Sequence, residues 1–573
     1  MGIMYLLTVL ILIILWMLLK KSDKKLNGII WGVIAIVLLL CYNIFVCYVL
    51  NTIRVTITLL SLSIVNILFS IIITIYLIRK KEVQKYYIEK IDILYGILMI
   101  CICLYISNQQ FGTYPFFIKY QTIDPSRHCL NAIKFAEEDK LLRNDQAWKV
   151  ERPGAYINTG IAMKMFINLI DEIDLYNVFI AYDIFILCLT SLSMYIIMKR
   201  ISKNRFLDFV AFLFSVLYVL GYPLNSMVFG FSYLSLSIPI INVIIMMMEI
   251  FEEKDIDIKQ WTIAVFLLNF SVFFSYYLFV PFIYGAEFIY FNIKSYRDNG
   301  KIFTKKNVIL IIITLIIPTI ISLIFFNFGI QVQDKGSGIA MNMNLYGYAY
   351  VNKYSDMLLL IPISIYALIK ERKNNKFTTS MFILLLGYIL LMYIANYLHL
   401  ITIYFIMKNY YIAWGLLYYL TYKGITYLHK KNKYISAITT VIYVFLVINT
   451  YMYFQEIYIA NTIMITAQYL DSKTVYTQEE VQFLKETREM VDFSKNVQVL
   501  GDEKRILWSN TLIRYQKSEN YKQMTTEEII KEYENVDYII CFKRDEELNK
   551  YEEEIYNNRI RVYESDEGII LKK

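Results

Sequence analysis

The stretch "GIIWGVIAIVLLLCYNIFVCYVL" at residues 28–50 contains no charged side chain. As a helix rising 1.5 Å per residue it extends about 34 Å, enough to cross a hydrocarbon core of about 30 Å. Comparable apolar stretches lie at 3–19, 55–78, 92–108, 176–198, 206–222, 230–250, 261–275, 277–292, 307–327, 356–369, 380–396, 411–428 and 435–455. Of the 573 residues 57% are hydrophobic and only 18% charged, against about 25% charged in an ordinary soluble domain. This excludes a soluble enzyme and predicts a mainly α fold, a polytopic membrane helix bundle of about fourteen spans. Residues 261–292 are divided in two because one helix would be about 48 Å long, and Ser275 and Pro281 offer a break.

The charge pattern orients these spans. The net charge is +8, yet residues 457–573 hold 17 Lys and Arg against 23 Asp and Glu, so the remainder carries the basic excess. Alternate short connections, from "KKSDKK" (20–25) and "RKKEVQKYYIEK" (79–90) to "KERKNNK" (370–376) and 423–433, hold 28 Lys and Arg. The short connections of the other side hold 4: Arg54, Lys335, Lys353 and Lys408. A bias of this size places the basic side in the cytoplasm and both termini outside, with no need of a nucleic-acid partner. The first span, with four lysines after it and no basic residue before it, reads as a retained anchor rather than a cleaved signal. The seven cysteines show no metal or disulfide framework spacing.

Two segments stand apart from the membrane domain of residues 1–455. One is the long outer loop 109–175. The other is the tail 456–573, where helical text ("QEEVQFLKETREMVDF", "TTEEIIKEYENV", "DEELNKYEEEIY") alternates with strand text ("NVQVLG", "DYIICFK", "RIRVYE…GIILKK"). That alternation predicts a small extracytoplasmic α/β domain.

Ionisable groups inside the spans are few. Asp183, Glu287, Asp92 and Asp208 can each be helix-packing residues. The informative stretch is "QFGTYPFFIKYQTIDPSRHCLNAIKFAEE" in the outer loop. Asp124 followed by Pro125 has the form of an N-cap and first-turn proline. On that helix Asp124 and His128 share one face, a pairing that suits activation of a hydroxyl beside a phosphate site. Further on, Arg152 precedes a Pro-Gly turn, and Ile161, Met165, Phe166, Leu169, Ile170 and Ile173 line a helical face suited either to the bilayer surface or to packing on the other loops. Lys408 breaks the charge bias on the outer side and lies among Tyr404, Tyr410, Tyr411 and Trp414. Such a lysine can hold a lipid phosphate or pyrophosphate, or snorkel to phospholipid headgroups. The outer loop near Asp334, Asn342 and Asn344 adds amides and tyrosines of the kind that bind sugars.

This layout resembles the GT-C superfamily of membrane glycosyltransferases. The string "DPSRHCLNAIKF" (124–135) resembles an Asp-Pro-x-x-His-x-x-x-Ala pattern of uncharacterised bacterial glycosyltransferase-like proteins, and "GYPLNSMVFGFSYLSLSI" (221–238), "FFSYYLFVPF" (273–282) and "YFIMKNYYIAW" (404–414) resemble further stretches of the same group. The resemblance implies a polyprenyl-phosphate sugar donor, a surface glycan or lipid acceptor, transfer on the outer face of the cell membrane, and Asp124 as the base. It further implies a donor phosphate held by Lys408, with His128 or Arg152 assisting and Arg127, Tyr404 and Tyr410 as substrate contacts. One departure matters: the next acids after Asp124 are Glu137, Glu138 and Asp139, which favours a displacement with no cofactor over a metal bridged by two carboxylates. A lipid-linked glycan exporter and a non-enzymatic membrane scaffold remain as alternatives.

Overall fold

The computed structural model describes residues 1–141, 153–202, 204–253, 256–326, 355–371, 376–398, 400, 403–453, 474–513, 526–531, 535–545, 550–556 and 559–573. The chain is mainly helical. In order, α1 is Gly2–Leu18, α2 Gly28–Thr52, α3 Leu59–Lys80, α4 Lys90–Phe111, α5 Asp124–Glu138, α6 Pro153–Phe166, α7 Leu175–Ile201, α8 Arg205–Val219, α9 Tyr222–Phe229, α10 Ser232–Glu253, α11 Ile258–Tyr276 and α12 Val280–Asn299. Then come α13 at Lys305–Phe325, α14 at Ser355–Glu371, α15 at Lys376–Tyr397, α16 at Ile403–Lys431 and α17 at Lys433–Tyr453. Nine continuous helical stretches among the described residues are long and apolar enough to cross a membrane. This is fewer than fourteen because α11 and α12 count as one stretch, Ile258–Asn299, helices such as α1 are short, and α16 carries lysines and many tyrosines.

Side chains set the helix starts. The Asn27 side chain accepts from the Ile29 and Ile30 amides at the head of α2, and Thr58 and Ser61 form a capping box on α3. Buried α10 stands at the centre, against α7, α11 and α6. The outer faces of α3 and α4 expose rows of aliphatic side chains, among them Leu68, Ile72, Leu94 and Ile97, which suits a hydrocarbon surrounding.

Residues 261–292 do form two helices. The chain breaks at Tyr277–Phe279, and the Tyr284 hydroxyl donates to the Asn269 carbonyl at 2.9 Å. Residues so far apart in sequence would lie about 22 Å apart along one straight helix, so α11 and α12 fold back on each other.

Helix α6 does not lie on the bilayer surface. It ends at Phe166, before Leu169, and is buried between α2, α5, α7, α10 and α11. Two features draw it inward: the Asn43 amide of α2 donates to Asn158 Oδ1 at 3.0 Å, and Gly154 lets its backbone approach Ser275, where an added Cβ would lie 2.4 Å from Oγ.

Two short strands, β1 (Leu26–Asn27) and β2 (Tyr86–Tyr87), pair in parallel, and the C-terminal region holds β3 (Val497–Val499), β4 (Tyr538–Phe542), β5 (Ile560–Glu564) and β6 (Gly568–Lys572), in the order β3-β4-β6-β5. In this C-terminal sheet the β3–β4 pair is parallel and the rest antiparallel. The last strand of the sequence reading is thus a hairpin, turned at Ser565, whose Oγ accepts from the Glu567 and Gly568 amides. Helix α18 (Gln478–Met490) precedes the sheet, and α19 (Glu503–Ile513), which the sequence reading did not anticipate, follows β3. Glu480 ties this region together: its carboxylate meets Arg505 at 3.0 Å and Arg544 at 2.8 Å and caps Thr477 N.

Burial opposes the charge on Glu480, but Arg544, Arg505 and the Thr477 amide outweigh it and hold the carboxyl below the ordinary glutamate range. A carboxylate held low stabilises the fold above its unfolded-state value and loses that contribution as pH falls through the folded value. Glu480→Gln should therefore lower the unfolding midpoint at neutral pH, by the equivalent of about 3 kcal/mol, and flatten its decline in acid. Thermal unfolding across pH 3–7 checks this, and an acid limb as steep as that of the parent protein would contradict it.

Candidate functional site

Helix α5 is held at both ends. At its start Pro125 sits on Gly230, where an added Cβ would lie 2.4 Å from the proline Cγ. Gly230 has φ +71°, a conformation that favours glycine, so the α9–α10 turn can double back beneath the proline. The preceding residues are tied to the same turn: the Gln121 amide donates to Val228 O at 3.0 Å and Thr122 Oγ1 to Phe229 O at 2.5 Å. At its far end Lys164 of α6 donates to Ala136 O at 2.9 Å and pairs with Asp139.

The C-terminal region also holds α5. Thr511 Oγ1 of α19 donates to Ser126 O at 3.0 Å, and Trp508 stacks on Tyr120 with centroids 5.9 Å apart. Ile118 and Tyr476 form a β-bridge. Lys485 pairs with Asp174 at 2.8 Å and Arg488 with Glu172 at 3.0 Å.

Asp124 opens α5 but does not cap it. Ile123 occupies the cap position without a side-chain hydrogen bond, so Asp124 lies inside the first turn. Its half-buried carboxylate has no hydrogen-bond or ion-pair partner among the described residues. His128, four residues on, meets the edge of Tyr233 with centroids 5.3 Å apart. Lys408 approaches the same ring from α16, with Nζ 5.8 Å from the Tyr233 centroid, 2.9 Å from that of Phe231 and 5.7 Å from that of Tyr411. The ammonium is buried in a cage of aromatic faces, which stabilise a cation through their quadrupoles.

Four distant strings thus meet. Tyr233 touches His128 on one side and Tyr276 on another, at 5.1 Å. Tyr222 packs on Tyr411 at 4.7 Å and on Trp414 at 5.6 Å, and the Tyr411 hydroxyl bonds Asn225. Of the other sequence candidates, Arg127 is exposed. Tyr410 turns from the cage to bond the Tyr393 hydroxyl at 2.7 Å, since Tyr411, three residues from Lys408, is the tyrosine on its face. Tyr404 belongs to α16, but its side chain lies outside the described residues, as do Arg152 and the segment with Asp334, Asn342 and Asn344.

Two residues not singled out from sequence, Phe231 and Tyr233, complete the site, and behind them lies Asp183, one of the acids read from sequence as helix-packing groups. The Asp183 carboxylate accepts from the Tyr120 hydroxyl at 2.8 Å and from Ser232 Oγ at 3.3 Å, so it is a packing group that locks the segment between α4 and α5 to the head of α10. Asp92 and Asp208 are likewise engaged, both with Lys199, at 3.2 and 2.9 Å. Among the described residues no group of three or more His, Cys, Asp or Glu side chains is disposed to hold a metal. No family model matches the chain, and no curated protein matches it at a significant level.

Gly230→Ala should displace Pro125 and lower the unfolding midpoint by the equivalent of about 2 kcal/mol or more; an unchanged midpoint would contradict the seating of α5. Lys408→Met, similar in volume and free of charge, should leave stability equal or higher. A variant that unfolds instead would make Lys408 a structural residue.

Proposed function

We propose that this protein is a membrane glycosyltransferase of GT-C type, with about fourteen spans and with both termini and the site on the outer face. It moves a sugar from a polyprenyl-phosphate-type donor to a hydroxyl of a surface glycan or lipid. The observation that carries this reading is the meeting of an imidazole and a caged ammonium at one tyrosine ring, His128 and Lys408 at Tyr233, with the Asp124 carboxylate, unpaired among the described residues, four residues before His128 on the same helix.

In the proposed reaction Asp124 accepts the acceptor hydroxyl proton as the oxygen attacks the anomeric carbon. The new carbon–oxygen bond forms as the bond from that carbon to the donor phosphate oxygen breaks, and the lipid phosphate leaves with the electron pair. Lys408 stabilises that leaving charge, since a desolvated ammonium acts more strongly than one in water. His128 orients the phosphate, and Tyr233 and Phe231 hold the ammonium in place through their ring faces. One carboxylate suffices for this displacement, in keeping with the wide spacing to Glu137, Glu138 and Asp139.

Asp124→Asn retains the shape of the side chain and removes the base. In cells making parent or variant protein at equal membrane abundance, the variant should lose or truncate the surface glycan and accumulate the lipid-linked donor. An unchanged glycan under the variant, with loss on deletion of the whole gene, would overturn the role of Asp124 and favour export or scaffolding.

A further inference from the structure

A second polar centre lies inside the bundle, apart from the outer site. Asn269 of α11 donates from Nδ2 to Glu287 Oε2 of α12 at 2.7 Å and to the Thr314 carbonyl of α13 at 2.9 Å. Both amide hydrogens are thereby used. Asn269 Oδ1 and Glu287 Oε1 are then left without a hydrogen-bond partner among the described residues, although both residues have 0% exposure. Thr314 lies in a π-helical turn, Ile312–Ile316; such turns shift the hydrogen-bond ladder and recur at functional sites.

An isolated buried carboxylate costs several kcal/mol unless something neutralises it. No Lys or Arg ion pair reaches Glu287 among the described residues, whereas Lys423, Lys199 and Lys294 pair with other acids. The unsatisfied atoms are both oxygens, which are ligands for hard cations. A single carboxylate balances one positive charge, and a divalent ion would leave a net charge in apolar surroundings.

We propose that Glu287 and Asn269, with the backbone of the Ile312–Ile316 turn beside them, bind a small monovalent cation, Na⁺, between α11, α12 and α13. The bound ion completes the coordination of the two orphan oxygens and joins three helices. It is independent of the transfer chemistry at Asp124.

The test is the thermal unfolding of the full-length protein in detergent, in NaCl against choline chloride at equal ionic strength. Na⁺ should raise the midpoint saturably by roughly 1–3 °C, and Glu287→Gln should abolish the rise. Should that variant fail to fold, Asn269→Ala must weaken the apparent Na⁺ affinity at least tenfold. Identical midpoints for the parent protein in the two salts, or an undiminished Na⁺ response in a folded variant, would overturn the proposal.

Discussion

The contact between Pro125 and Gly230 governs the geometry of the site around Tyr233. A proline has a rigid ring and a fixed φ, and glycine alone leaves room for it against a backbone with φ +71°. With that contact in place, Asp124 and His128 are carried to the turn between α9 and α10, whose next residues are Phe231 and Tyr233. Those two rings in turn receive Lys408 from α16. The Tyr233 ring is the group that His128 and Lys408 share.

The C-terminal region belongs to the same construction. Its helix α19 meets the first turn of α5 through Thr511, and the Trp508–Tyr120 stack continues into the Asp183 carboxylate. The segment that leads into the domain pairs with Ile118 and is gripped by Arg544 at the Thr474 and Val475 carbonyls. The sheet therefore braces the long segment between α4 and α7, and a disturbance of the Glu480 cluster will reach α5 by this route.

Much of this was legible in sequence where one physical rule dominates. Hydropathy located the helices of the bundle, and the Ser275 and Pro281 break correctly divided α11 from α12. Strand–helix alternation found the sheet but missed α19, whose text "EKRILWSNTLI" has no strong periodic pattern and becomes helical through packing on α5 and β3. The α6 face looked suited to a membrane surface because its apolar residues are periodic; Asn158 and Gly154, which bury it, signal only when their partners are known. Asp124, His128 and Lys408 stood out by type and position, whereas Tyr233 and Phe231 were hidden among 51 tyrosines and 36 phenylalanines. Convergence in space leaves no local trace in such a composition. Tyr410 and Tyr411 are adjacent in sequence, and only the helix phase relative to Lys408 separates their roles.

The most direct test of this account is a pair of double-mutant cycles on unfolding stability in lipid nanodiscs, combining Tyr233→Leu with His128→Ala and with Lys408→Met. If both side chains meet the Tyr233 ring, each cycle should give a coupling of about 0.5–1.5 kcal/mol. Additivity within about 0.3 kcal/mol in both cycles would mean that α5 and α16 do not share that ring, and the site would not exist as described.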